Sequence, residues 1–378
     1  MRGRKVAVVA WCAGVVAAVV PNARSAQDSV KIGVQLPLSG ERAAVGRVMK
    51  SGIAMAVEAV NRAGGIKGMP LEVIYADDHD TEQGAIDALR TLTRQHQVVA
   101  VIGELFSRYV IASREVVEQE KIPYLSGATS PRTTERTEWI FRVGASDALL
   151  ADLLARYVVE DLRLGKLSVL HDRTGIHNAR ADLLVKVLQE KHGIAPLVRA
   201  SWKPGDRDFR AQLEQVKAKD VEVILALGET GEGGPFLRQV KGLEIKAQVI
   251  AHRDFGARQV LEEAGDAADG TLIVSEYLSA LQGPDERAWA RRYQERYGTE
   301  ANVIAAQYHD ALLLVVEAAR RAGPSRDGIR SGLEQLKGFR GAMADYTFDE
   351  KRNGVHRFYV ARITDGTPAL VVSLTEKP

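Results

Sequence analysis

Asp77, Asp78 and Asp80 put three carboxylates into one short stretch, a pattern that hard cations such as Ca²⁺ favour. A calcium loop also needs a downstream glycine and a distal glutamate, and neither follows here. The three acids therefore read as a solvated turn, with Asp77 capping or bracing the cleft. The eight histidines include no H-E-x-x-H or similar spacing, so His171 at a strand end and His79 in a loop read as structural. Gly231-Glu232-Gly233-Gly234 superficially resembles a nucleotide loop but lacks both the G-x-G-x-x-G pattern and the Lys-Ser/Thr pair of a phosphate loop. No G-x-S-x-G elbow presents a nucleophilic serine. The one cysteine, Cys12, lies in an apolar run near the N-terminus, so neither a thiol nucleophile nor a disulfide is expected to carry the function. The expectation is a protein that binds without catalysis, with no cofactor and no metal.

The chemistry that remains is anion holding. Six segments are rich in Gly, Ser, Thr or Asn: residues 37–45, 103–107, 126–130, 172–178, 228–234 and 252–256. Each falls between a short apolar run and a longer helical periodicity. In wound α/β sheets the loops at the carboxyl ends of strands carry the ligand, and N–H groups at helix starts hold negative charge.

The elements that must position these loops alternate along the chain. Strands are expected at 30–36, 71–76, 98–102 and 122–125, with helices at 46–62, 81–95 and 108–120 between them. The alternation restarts after Phe141-Arg142-Val143 with helices at 147–164, 179–192, 209–219 and 235–241, and strands at 167–171, 196–200, 221–227 and 247–251. Such alternation implies parallel sheets covered on both faces. Three helices without intervening strands, at 286–297, 303–322 and 329–336, are too few for a further lobe and are expected to pack back on the first. The fold class is thus α/β, with two doubly wound parallel-sheet lobes. The first lobe is expected to comprise 27–143 with 277–350, and the second 144–276 with 351–378.

Composition agrees with a folded α/β chain: 378 residues, 46% hydrophobic and 26% charged, fit two domains. Arg2, Arg4 and Lys5 precede an uncharged, mostly apolar run from Val6 to Val20, followed by Pro21 and Ala23-Arg24-Ser25. That order is the signature of a secretory leader, shorter than the ~20 residues of a membrane span. Cleavage is expected after Ser25 or Ala26, delivering a periplasmic protein. The leader holds four of the 51 basic residues and none of the 49 acidic ones, so the remainder has a net charge of −2. A nearly neutral surface with dispersed charge gives no footprint for nucleic acid.

More specific are Lys31-Ile32-Gly33-Val34-Gln35-Leu36-Pro37-Leu38-Ser39-Gly40, Asn61-Arg62-Ala63-Gly64-Gly65-Ile66-Lys67-Gly68-Met69-Pro70-Leu71-Glu72-Val73, Asp77-Asp78, Val101-Ile102-Gly103 and Gly127-Ala128-Thr129-Ser130, in that order. Together they resemble the leucine/isoleucine/valine-binding protein family of periplasmic receptors for ABC transporters. The resemblance runs over most of the chain beyond the leader and is densest before residue 145. It implies a type I periplasmic binding fold, two lobes joined by three crossings, and a ligand held between them. It also implies that Ser107, Gly127, Ala128 and Thr129 grip a ligand carboxylate. A carboxylate leaving water needs replacement hydrogen bonds, which hydroxyls and helix-start N–H groups supply.

The second lobe departs from the pattern of that family. Ile176 stands where relatives carry an aromatic residue, and Glu229 and Thr230 follow Gly228 where they carry tyrosines. Arg253 occupies the place of the acid that takes the ligand ammonium, with Asp254 one residue on. The expected ligand is therefore an amino acid or an organic or aromatic acid, with Glu229 or Asp254 as the ammonium partner if an amine is present. The expected partners are that small carboxylate and the permease subunits of an ABC transporter. A sensory receptor with the same clamp, or a secreted α/β enzyme, are the rival readings.

Overall fold

The computed structural model describes residues 29–278 and 283–376. The expected leader and its expected cleavage site lie outside them. In chain order the elements are β1 (Val30–Leu36), α1 (Ala43–Arg62), β2 (Leu71–Asp77), α2 (Glu82–Arg90), β3 (Ala100–Gly103), α3 (Ser107–Glu120), β4 (Tyr124–Ser126) and β5 (Ile140–Arg142). There follow α4 (Asp147–Arg156), β6 (Leu167–Asp172), α5 (Gly175–His192), β7 (Val198–Trp202), α6 (Arg210–Ala218), β8 (Val223–Leu227), α7 (Thr230–Gly242), β9 (Gln248–His252), α8 (Arg258–Ala264) and β10 (Leu272–Ser275). The last group is α9 (Pro284–Tyr297), α10 (Val303–Ala322), α11 (Arg326–Glu334), β11 (Phe339–Arg340), β12 (Asp345–Tyr346), β13 (Arg357–Thr364) and β14 (Thr367–Thr375).

These strands form two principal sheets. The first runs β2-β1-β3-β4-β5 and is parallel throughout. The second runs β14-β13-β10-β9-β8-β6-β7, with five parallel strands and an antiparallel hairpin at one edge. Strands covered on both faces carry nearly unbroken apolar runs, which is why β1, β6 and β8 are buried along almost their whole length. The chain passes between the sheets after Arg142, after Ser275 and before Arg357. Two of these passages run side by side: Arg142 N–H donates to Arg352 O at 2.8 Å, and Gly354 N–H to Arg142 O at 3.0 Å. The buried Arg142 side chain fastens them further, donating through Nε to Asn353 Oδ1 and through Nη1 to Ala128 O, both at 2.9 Å.

Of the three late helices, α10 packs against α1 and is buried along most of its length. Contact is so close that a Cβ on Gly52 of α1 would lie 2.1 Å from the Ala305 carbonyl oxygen, so only glycine fits there.

Two expectations change. The C-terminal hairpin β13–β14 was not foreseen because β14 is largely exposed and shows no buried apolar run to betray it. The glycine-rich stretch at 231–234 is helical rather than loop. α7 begins at Thr230, the buried Glu232 carboxylate accepts from Glu229 N–H at 3.0 Å, and those two glycines let α8 approach. A Cβ on Gly233 would meet Val260 Cγ1 at 2.7 Å, and one on Gly234 would meet Glu263 at 2.6 Å. Glycine here serves packing, which outweighs its poor helix propensity.

Candidate ligand-binding site

Because the strands are parallel, the loops after β3 and β4 lie side by side on the first sheet, and those after β6, β8 and β9 on the second. On the first sheet Ser107 opens α3, and its Oγ accepts from Ser130 N–H at 3.2 Å. Its own proton has no acceptor among the described residues. Ala128 is buried, and its N–H is taken by Ser126 Oγ at 3.0 Å. The Gly127 backbone hydrogen-bonds Tyr308, whose hydroxyl donates to Gly103 O at 2.8 Å. The Thr129 hydroxyl donates to Asp147 Oδ2 at 2.9 Å. The donors left for an anion on this side thus include the Ser107 and Ser130 hydroxyls and the Thr129 N–H, with Gly127 and Ala128 shaping the loop.

The Thr129 contact continues across to the second sheet. Asp147, in the first turn of α4, accepts from Arg180 Nε of α5 at 2.7 Å, and both side chains are more than nine-tenths buried. Neither residue stands out in the sequence, since each is one charge among many on a helix.

The second sheet gathers a charged wall. His177 Nδ1 meets Asp172 Oδ2 at 2.8 Å, while Asp172 Oδ1 accepts from Thr174 N–H at 2.8 Å and Thr174 Oγ1 at 2.6 Å. His252 Nδ1 meets Asp254 Oδ2 at 2.8 Å, and the two imidazole centroids are 6.3 Å apart. Burial, reinforced by the charge of Arg180, holds His252 down at about 4, so at neutral pH it is uncharged, and the proton is assigned to Nδ1 from its contact with Asp254. Burial opposes ionisation of Asp254, yet the His252 hydrogen bond and the charges of Arg253 and Arg180 hold it well below the usual carboxylate range. Glu229 is pushed up by partial burial and by the charge of Asp254.

The expected second-lobe residues fall on this wall in an unexpected order of importance. Ile176 is 43% exposed in the first turn of α5, next to His177. Thr230 is the first residue of α7, beside Glu229. Arg253 pairs with buried Glu276, so its charge is already met within the lobe. Asp254, rather than Arg253, joins the histidines. The sequence singled out His171 at the end of β6, but neither His177 nor His252, because only the neighbouring strands β6, β8 and β9 bring these two together.

Asp77 ties two loops together: its Oδ1 accepts from Leu38 and His79 N–H at 2.9 Å and from Ser39 N–H at 3.2 Å. Asp78 departs from the solvated turn expected for it, being wholly buried against Glu104 at the ends of β2 and β3. Burial and the hydrogen bond with Asp78 push Glu104 well above the usual carboxyl range, so the pair shares a proton. The sign of the linkage follows from this raised folded-state pKa. The contribution of Glu104 to stability is full below its unfolded pKa, about 4.3, and is lost as pH rises through the folded value. Glu104→Gln mimics the protonated form, and is expected to raise the melting temperature at about pH 7.5. The gain should vanish towards about pH 4. Thermal melts across that range test it, and an unchanged or lower melting temperature at neutral pH would refute the shared proton.

Comparison with known proteins follows this geometry. Residues 29–368 match the model of the periplasmic binding protein family. Leu/Ile/Val-binding protein homolog 1 of Brucella suis is 27% identical over 339 residues, covering 89% of this chain and 90% of its own. A branched-chain amino acid transporter substrate-binding protein from Streptococcus pneumoniae, solved with isoleucine, superposes with a TM-score of 0.75 at 26% identity, over 93% of this chain and 100% of its own. A solute-binding protein from R. palustris, solved with benzoate, gives the same TM-score at 17% identity, over 92% of this chain and 97% of its own. Among the described residues no helix is long and apolar enough to cross a membrane.

Proposed function

Since the chain belongs to the periplasmic binding protein family, with the type I fold of that family, we propose that it is the exported, substrate-binding component of an ABC transporter. It captures an amino acid or a related small carboxylate and delivers it to a membrane permease, without catalysis. The observation that carries this reading is the contrast between the two loop sets. One offers an unspent hydroxyl and a loop amide suited to a carboxylate, and the other a wall of charge able to read the rest of the ligand.

The two lobes, residues 27–143 with 277–350 and 144–276 with 351–378, close on the ligand about the three passages. Contacts made by both lobes only when shut supply the differential affinity that shifts the open–closed balance. Ser107 and Thr129 hold the carboxylate from one side, with Ile176, Thr230 and the residues around Arg253 on the other. Relatives solved with isoleucine and with benzoate bracket the ligand range. With Ile176 and Thr230 lining it, an organic or aromatic acid or a polar amino acid is expected to stabilise the protein more than leucine does. A ligand at 100 times its dissociation constant adds about 2.7 kcal/mol, well within reach of a thermal-shift panel.

Mass spectrometry of ligand retained by gently purified protein identifies the molecule. Small-angle scattering with and without it then tests the clamp, with compaction expected on saturation. An unchanged radius of gyration would count against closure, and a clear shift with leucine but none with amine-free carboxylates would return the site to the branched-chain pattern.

A further inference from the structure

The second-lobe wall carries more negative charge than its own cations meet. Arg180 is taken by Asp147 and Arg253 by Glu276. Asp172, Glu229 and Asp254 remain, and none of them forms an ion pair with lysine or arginine among the described residues. Two imidazoles, 1% and 3% exposed, stand among these three acids.

The geometry is that of a coordination site. His177, His252 and Asp254 each offer one donor atom, and these atoms lie within 4.8 Å of one another. Asp172, His177 and Glu229 form a second, overlapping trio with the same spread. His177 is shared by both. Its Nδ1 is held by Asp172, which is itself fixed by Thr174 through two hydrogen bonds, so the ring is locked with Nε2 directed away from its carboxylate partner. A carboxylate that fixes the far nitrogen of a histidine is a frequent companion of metal ligation, since it sets the ring orientation and raises the basicity of the other nitrogen. His177 Nε2 makes no hydrogen bond among the described residues, and at His252 an ion would take the place of the proton held between Nδ1 and Asp254 Oδ2, 2.8 Å apart. The donors come from His252 at the end of β9 and from the segments that follow β6, β8 and β9, which are adjacent parallel strands of one sheet, with His177 in the first turn of α5.

We propose that His177, His252 and Asp254, with Glu229 completing the set and Asp172 orienting His177, form a binding site for a divalent late first-row transition ion such as Zn²⁺. Mixed imidazole and carboxylate donors suit Zn²⁺, Ni²⁺ and Co²⁺, whereas Ca²⁺ and Mg²⁺ prefer all-oxygen shells. The site lies on the same wall of charge that the proposed function turns toward the organic ligand, so the ion is titrated with no organic molecule present. Spacing along the chain gave no hint of it, because 75 positions separate the two histidines.

The test uses the full secreted chain, stripped with chelator and free of organic ligand, titrated calorimetrically with ZnCl₂ and separately with MgCl₂. One Zn²⁺ is expected per chain, with Mg²⁺ giving no comparable heat. Co²⁺ in place of Zn²⁺ should give visible d–d absorption at the same stoichiometry. His252→Gln and Glu229→Gln should each weaken Zn²⁺ binding at least ~10-fold, and Asp172→Asn about 10- to 100-fold through loss of ring orientation. Far-ultraviolet circular dichroism confirms that each variant is folded, and where His252→Gln does not fold the comparison rests on Glu229→Gln. Zn²⁺ binding absent from the unmodified chain, or equally tight in His252→Gln and Glu229→Gln, would overturn the proposal. Because no organic molecule is present, that failure would leave the carboxylate-capture reading to its own test.

Discussion

Arg180→Ala is expected to destabilise the protein by about 3–5 kcal/mol, the cost of leaving a buried carboxylate without its cation. Arg180 and Asp147 are 5% and 9% exposed at the side chain and meet at 2.7 Å, so water cannot stand in for the lost guanidinium. The position of Asp147 in the first turn of α4 and the hydroxyl of Thr129 soften the loss, since helix-start N–H groups favour an anion. Urea denaturation of Arg180→Ala, Asp147→Asn and the double variant measures the pair. The double variant should recover much of the loss, because it removes both charges together. A change below about 0.5 kcal/mol in Arg180→Ala would show that the pair is not buried as described.

The second large effect concerns binding. Ser107→Ala removes a first-sheet hydroxyl whose proton is uncommitted, and Thr129→Ala removes the anchor that ties its own loop to Asp147. Each leaves part of a carboxylate less well paired at a cost on the order of 1–3 kcal/mol, which is roughly a 5- to 150-fold weaker dissociation constant. Titration with the molecule identified by mass spectrometry reads this directly. The two variants should differ in one respect: Thr129→Ser should restore most of the affinity, since a serine hydroxyl can still reach Asp147. Unaltered affinity in both alanine variants would remove these residues from the site.

How much of this was legible beforehand depended on the range over which each signal acts. Apolar runs and helical periodicity are local, so β1, β6, β8 and α10 fall close to where the sequence places them. Glycine was ambiguous. At 231–234 it looked like a flexible loop, because the close passage of α8 that demands it lies about thirty residues further along. The first-sheet site residues came through resemblance, yet their actual hydrogen bonding did not. That Ala128 N–H is spent on Ser126, and the Thr129 hydroxyl on Asp147, follows only from three-dimensional proximity. Asp78 illustrates the same gap. Its neighbours in sequence are partly exposed acids, and only the adjacency of β2 and β3 to β1 buries it against Glu104. Arg253 showed the limit of alignment by position, as a shift of one residue separates a guanidinium bound to Glu276 from the carboxylate that faces the histidines.

The close seating of α10 on α1 carries a consequence for the order of events as the chain is made. The first sheet is complete by Arg142, but the helix that covers α1 does not begin until Val303. Some 160 residues, including all five parallel strands of the other sheet, must emerge before that face is sealed. A nascent chain therefore cannot finish its first-built half early, and such long-range contacts slow folding by the loop they must close. A fragment ending before residue 303 should be cut rapidly by protease, whereas one ending after 350 should resist. That delay leaves the polypeptide threadable for as long as translation lasts, which is the state that passage through a narrow membrane channel requires.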